Sequence, residues 1–341
     1  MKQKLGNILK LGIGLAISAF FMYLAFRKVD LRKMGEVIKE INYFILTFAV
    51  LILFVSHWIR AVRHRYLLEP VKSINNSSLF SALMIGYMAN TFMPAHLGEF
   101  LRAYLIGKKE GIAGSSTLAT IMVERIIDVL SLLMIMGLVF TVYPFPDMVK
   151  FSAYMTFAFA LGMVGFLVFL QRRPEQSLRF TGFIIKPFPE RIRDKFLKLL
   201  ESFRKGLVPL KNRQSYVVVF ILSILIWMCY ASVFVIGFYA FDFIEVYNIP
   251  LGAGFVVLVI TTISILVPSS PGYVGTYHYL CMLSLSLFAI PESPALGYAI
   301  VIHAISMFPA ALVGAAFALK EGVNISKIGR QKELDEAAIV D

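Results

Sequence analysis

Apolar stretches close to the roughly 20 residues that a helix needs to cross a hydrocarbon core recur along nearly the whole chain, and nothing else in the sequence restricts its fold as much. They lie at about 8–26, 43–59, 79–93, 116–140, 151–170, 216–241, 251–267, 272–290 and 295–319. Of the 341 residues, 58% are hydrophobic and 16% charged. A water-soluble globule could not cover so much apolar surface, so the bilayer is the natural solvent. The expectation is an all-α polytopic helical bundle forming one membrane domain over 1–341. Lys2, Lys4 and Lys10 precede an apolar run that ends in Arg27 and Lys28 without a small-residue cleavage site, which reads as an uncleaved first span. Cys229 and Cys281 fall inside apolar segments and read as small buried hydrophobes.

The net charge of +12 does not point to nucleic acid, because the basic residues sit between apolar spans rather than on a soluble face. They set sidedness instead. The connection 171–215 carries twelve Lys and Arg residues, from Arg172 to Arg213, and the positive-inside rule puts it in the cytoplasm. The 60–77 connection, both termini and the tail 320–341 follow, giving a multi-pass chain with both termini in the cytoplasm. Loop 27–42 should then be external, yet it holds Arg27, Lys28, Arg32, Lys33 and Lys39, against that count. Phe188, Ile192, Phe196, Leu199, Leu200, Phe203 and Leu207 recur at helical spacing opposite basic residues, as in a helix lying in the membrane interface. A connecting elbow is the simpler reading of that helix, and a lipid sensor the alternative.

Two stretches break the pattern. The segment 78–115 begins and ends on one side while holding Asn90, Pro94, His96, Gly98, Glu99 and Arg102 near its middle, and its second arm, 100–106, is too short to span. The segment 251–292 is interrupted by Ser270, Pro271, Gly272, Gly275 and Thr276. Both read as re-entrant hairpins. Pro94 to Gly98 and Pro271 to Gly275 each read P-x-x-x-G at one offset, 271 − 94 = 275 − 98 = 177. The same offset carries 116–140 onto the last span and 43–59 into 216–241. The units 43–140 and 216–319 would enter the membrane in opposite senses, an inverted-topology repeat of the transporter kind. Freed amides at the two breaks would offer an anion site near the midplane.

Glu124, Arg125 and Asp128 lie within the span 116–140, and Glu99 and Arg102 within the first hairpin. Ionised groups at the bilayer centre cost about 2.5 to 3.5 kcal/mol each or more, so five together imply mutual pairing or a wet cavity. Spacing of three predicts Arg125 with Asp128, and Glu99 with Arg102. Such a network can pin the hairpin in place, or present Arg102 or Arg125 to a phosphate; the two roles are compatible. His303 reads as a packed hydrogen-bonding residue, and His96 is the better site histidine. His57, Trp58, Arg60, Arg63, His64 and Arg65 read as an interfacial anchor reaching the head groups.

The strings Asn90-Thr-Phe-Met-Pro94-Ala-His-Leu-Gly98-Glu99-Phe-Leu-Arg102, Glu124-Arg125-Ile-Ile-Asp128 and Pro271-Gly-Tyr-Val-Gly275 resemble the lysylphosphatidylglycerol synthetase/flippase membrane-domain family, in order and over essentially the whole chain. The resemblance implies translocation of a phosphate-bearing lipid, a phospholipid or a polyprenyl carrier, without aminoacyl transfer, since the chain ends soon after its last span. Thr276 departs from the family's usual glutamate after the second motif's glycine. Anionic membrane lipids are the implied partners, with homo-oligomers left open and no cofactor expected. A coupled transporter of a small anion and a membrane glycosyl- or phosphotransferase are the competing readings. No D-x-D, H-E-x-x-H, Walker A or C-x-x-C pattern supports the enzyme.

Overall fold

A computed structural model describes residues 2–92, 97–143, 147–187, 189–206, 210–265 and 271–323, and every regular element among them is a helix. In chain order these are α1 (Lys2–Phe26), α2 (Leu31–Glu40), α3 (Tyr43–Leu68), α4 (Asn76–Phe92), α5 (Leu97–Glu110), α6 (Gly114–Val142) and α7 (Asp147–Arg172). The chain continues through α8 (Pro174–Ile184), α9 (Glu190–Gly206), α10 (Arg213–Ala240), α11 (Phe243–Tyr247), α12 (Ala253–Thr262), α13 (Thr276–Ser286) and α14 (Glu292–Lys320). Four of them, α3, α6, α10 and α14, are long and apolar enough to cross a membrane. The protein is therefore a polytopic helical membrane bundle. Pro94, His96 and Ser270 lie outside the described residues.

Between the long helices sit short ones. At 17, 14, 10 and 11 residues, α4, α5, α12 and α13 rise about 15 to 26 Å, short of a roughly 30 Å hydrocarbon core. The order long, short, short, long occurs twice, as α3 to α6 and again as α10, α12, α13 and α14, with α4 and α12 starting 253 − 76 = 177 residues apart. Contacts between the two sets are reciprocal. Helix α4 packs on α14 and α12 on α6, α3 touches α14 and α10 touches α6, while α3 and α10 pack on each other.

Capping and close approach explain the local geometry. Asp30 starts α2 by accepting from the Arg32 and Lys33 amides, and Met34 and Ile38 of that helix face Gly297 of α14. The stretch 27–42, expected as a plain loop, is thus mostly a docked helix, and its exposed Arg32–Glu36 pair puts charge on the outer face. Gly98 and Gly86 bring α5 and α4 together backbone to backbone, so that a methyl on Gly98 would overlap the Gly86 carbonyl and the Asn90 side chain. Gly275 adopts φ +92°, and a methyl there would strike the Ser18 carbonyl of α1. Glycine is required at both places. The main core joins Ala49, Leu53, Phe238, Val257 and Tyr298, and a second core lies under the first hairpin around Leu79, Ile85, Leu101 and Ile106.

Gly98→Ala is expected to destabilise the protein by about 1–3 kcal/mol through this overlap. Gly137→Ala on α6, which meets open space, should change stability little or raise it by up to about 1 kcal/mol. Thermal unfolding of the two purified variants in detergent checks both.

Candidate functional site

Helix α3 does not end where its apolar run ends. It continues to Leu68, and Leu53, Ser56, His57, Arg60, Arg63, His64 and Leu67 all fall on its buried side. The spacing i, i+3, i+4, i+7 is that of a helix face turned to a core. Arg60, Arg63 and His64 are 4%, 0% and 0% exposed, so they are not the interfacial anchors expected from sequence. Of that group only Trp58, 44% exposed, and the half-buried Arg65 over the Tyr66 ring face outward. The four buried residues, His57 among them at 6% exposed, had a signal in the helical period, hidden because charge at the end of an apolar run normally marks the membrane surface.

Their target is α6. Thr117, Thr120, Glu124 and Asp128 line one face of it, with Glu124 wholly buried. Arg60 Nη1 lies 2.8 Å from both Glu124 Oε1 and Asp128 Oδ2. Arg63 Nη2 lies 2.6 Å from Asp128 Oδ1, and its Nη1 donates to Ser223 Oγ of α10 at 2.9 Å. Arg102 of α5 reaches Glu124 Oε2 at 3.1 Å and donates to His64 Nδ1 at 2.6 Å. A guanidinium only donates, so His64 Nδ1 accepts and the ring is neutral. His64 then donates from Nε2 to Thr120 Oγ1 at 3.0 Å, and the Thr120 hydroxyl donates to the Thr117 carbonyl at 2.8 Å.

Arg125 stands apart from the other three arginines. It approaches Glu99 Oε1 at 3.8 Å, Glu124 Oε1 at 3.7 Å and Asp128 Oδ2 at 3.6 Å, beyond hydrogen-bonding distance. Its Nε, like those of Arg60, Arg63 and Arg102, is buried without a hydrogen-bond partner, but its side chain alone of the four is as much as 36% exposed. The expected Arg125–Asp128 pair is present in this loose form. The expected pair of Glu99 with Arg102 is not formed, because Arg102 turns to Glu124 and His64, whereas Glu99 turns to Arg125 and accepts from Asn90 Nδ2 at 3.3 Å. Asn90 also receives the Gly98 amide at 2.7 Å.

The second hairpin arrives beside this group. A methyl on Gly272 would come 3.8 Å from the Thr91 carbonyl at the end of α4, and Tyr273 is close enough to Glu99 and Arg125 to feel both charges. Pro271 lies in the same one-turn helix, Pro271–Tyr273. Asn90, Gly98, Glu99, Arg102, Glu124, Arg125, Asp128 and Gly272 are thereby gathered in one region. Gly275 and the buried Thr276, which donates to the Tyr273 carbonyl at 3.0 Å, pack on the α1 side instead. The Gly275 amide donates to His278 Nδ1 at 3.3 Å, so side chains occupy the glycine amides at the start of both second arms. These two amides are not free for an anion, and the most exposed of the cluster's four arginines is Arg125, its side chain 36% exposed.

The matching space in the other unit holds no charge. Adding 177 takes Arg60, Glu124 and Asp128 to Gly237, Val301 and Ile305. There Tyr298, fully buried, stacks on Phe238 and Phe243 and donates to the Phe234 carbonyl at 2.7 Å. His303 stacks on Tyr277 at 4.4 Å between centroids. Among the described residues no group of three or more His, Cys, Asp or Glu side chains is placed to hold a metal.

A bundle of membrane-length helices around a buried Arg–carboxylate cluster, with short helix pairs meeting beside it, defines a polytopic membrane protein with a polar site inside an apolar body. The chain belongs to the family described as the lysylphosphatidylglycerol synthase TM region, whose model matches residues 11–314. It is 25% identical over 313 residues to the UPF0104 membrane protein MJ1595 of Methanocaldococcus jannaschii, covering 85% of this chain and 88% of that one. It is 23% identical over 328 residues to Glycosyltransferase AglD of Haloferax volcanii, covering 86% of this chain but 51% of that protein, about half its length. The UPF0104 membrane protein MJ1078 of the same Methanocaldococcus is 26% identical over 229 residues, 66% of this chain and 91% of that one. No solved structure matches the chain.

Glu124→Gln removes the negative charge shared by Arg60 and Arg102 and turns one carboxylate oxygen into a donor facing guanidiniums, so it should destabilise the protein by about 3–5 kcal/mol. Adding Arg102→Gln should return at least about 1 kcal/mol of that loss, the coupling expected of groups in contact. Unfolding midpoints of the wild type, two single variants and the double variant measure it.

Proposed function

We propose that this protein carries a phosphate-bearing lipid between the two leaflets of the membrane. The head group passes the charged site where the hairpins meet, and the acyl or prenyl tails stay in the bilayer. The observation that carries this reading is Arg125, the one arginine of the cluster left partly exposed and without a hydrogen bond among the described residues, beside the meeting hairpins. A guanidinium fork is suited to phosphate oxygens. Short paired helices flanked by membrane-length ones suit re-entrant hairpins, and two such units in opposite senses suit alternating or continuous access from either side.

The names of the relatives bear on the substrate and not on transport. The family description names a lysylphosphatidylglycerol synthase, and one relative bears the name of a glycosyltransferase. Phospholipids and lipid-linked sugars are therefore the first substrates to try. Exposed apolar side chains along the long helices, among them Phe44, Leu51, Phe220 and Leu312, suit a body surrounded by lipid tails.

The test is reconstitution of the purified protein in liposomes carrying fluorescent phosphatidylglycerol or a fluorescent polyprenyl phosphate. Movement between leaflets should exceed that of protein-free liposomes, and Arg125→Gln should slow it by at least about tenfold, the equivalent of roughly 1.4 kcal/mol. No movement of any such lipid, or an undiminished rate in Arg125→Gln, overturns the proposal. Uptake of a soluble anion without lipid movement would turn the reading to solute transport.

A further inference from the structure

We infer that the site is matched to a head group carrying a single negative charge, a phosphate diester, with Arg125 as its ligand and Glu99 as the group that sets the charge preference. This rests on the lipid-transport reading for the source of the phosphate, and on the charge count of the cluster for its chemistry.

Four guanidiniums, Arg60, Arg63, Arg102 and Arg125, face three carboxylates, Glu99, Glu124 and Asp128, in one connected set. His64 is held neutral by the arginine that donates to it. The balance is 4 − 3, one positive charge in excess. The neighbouring stretches 93–96 and 266–270 contain no Asp, Glu, Lys or Arg, and their one titratable side chain, His96, adds no charge in its neutral form, the form favoured at about pH 8. An uncompensated charge inside an apolar body is costly, and one monoanion removes it. A phosphate monoester, close to two negative charges at neutral pH, would overshoot, and a diphosphate would do so further.

The excess is also localised. The Nη groups of Arg60, Arg63 and Arg102 that carry the network are hydrogen-bonded at 2.6 to 3.4 Å and those side chains are 0% to 4% exposed. Arg125 is held only by contacts of 3.6 to 3.8 Å. Glu99, anchored by Asn90, stands opposite as an internal competitor that partly neutralises Arg125 when no lipid is present. Such competition keeps binding weak enough for release, which translocation requires.

The experiment measures binding of phosphatidylglycerol, phosphatidic acid and a polyprenyl diphosphate to the full chain in an uncharged maltoside detergent at about pH 8, where the monoester is a dianion. Inorganic phosphate serves as a competitor, and thermal unfolding without lipid checks that each variant is folded. Wild type should prefer the diester. Glu99→Gln raises the excess to two and should reverse the order in favour of phosphatidic acid. Arg125→Gln should weaken all three lipids by at least about tenfold, while Arg125→Lys keeps the diester preference with weaker binding.

Tighter binding of the dianions by wild type, an order unchanged by Glu99→Gln, or undiminished binding by a folded Arg125→Gln overturns the inference. Inorganic phosphate that displaces phosphatidylglycerol at equal concentration overturns the lipid source. Charge-selective binding with no movement in liposomes would sink the transport reading alone. Movement without charge selectivity would sink this inference alone.

Discussion

Glu124 has no exposed surface and three arginines converge on it or on Asp128 one turn away. In an apolar body a lone carboxylate or guanidinium would be intolerable, so each of these side chains is viable only while the others are in place. That mutual dependence ties α3, α5 and α6 together, and the Arg63–Ser223 hydrogen bond extends it to α10. The first hairpin cannot tilt or slide without stranding Arg102, and α3 cannot rotate without stranding Arg60 and Arg63 together. Apolar packing alone would not fix register so tightly, because neighbouring turns of leucine and isoleucine are nearly interchangeable.

The two units meet the same packing demand by different means. One fills the space between its long helices and its hairpin with paired charge, and the other fills the corresponding space with Tyr298 and its phenylalanine neighbours. The aromatic half offers a rigid wall; the charged half offers a site. Near the contact of Thr91 with Gly272, Arg125 is loosely held and 36% exposed. A site bordered by both units but charged by only one is polarised.

Much of the architecture was legible because bilayer crossing sets a length and because proline and glycine interrupt helices for steric reasons. The apolar middles of the long helices α3, α6, α10 and α14 were open to those rules, and the gathering of Glu99, Arg102, Glu124, Arg125 and Asp128 followed from the cost of isolated charge. Partner choice did not follow. Glu99 and Arg102 share a helix face by spacing, but Arg102 finds a fully buried carboxylate and His64 across the bundle, a stronger environment than an i, i+3 neighbour offers. Arg60, Arg63 and His64 were misread because hydropathy falls where they begin, although their period continues the buried stripe of Leu53 and Ser56. Helix α2 was hidden by its charge, and its Asp30 cap and the Met34–Ile38 spacing were the local signs of it.

The most direct test of the cluster's place in the molecule is a side-chain-resolution single-particle map of the protein in a lipid nanodisc. The account predicts Glu124 within the hydrocarbon slab, guanidinium density from Arg60 and Arg102 at hydrogen-bonding distance from it, and Thr91 next to Gly272. Arg60 and Arg63 extended toward the head groups, or hairpins ending far apart with Arg125 enclosed by protein, would contradict it.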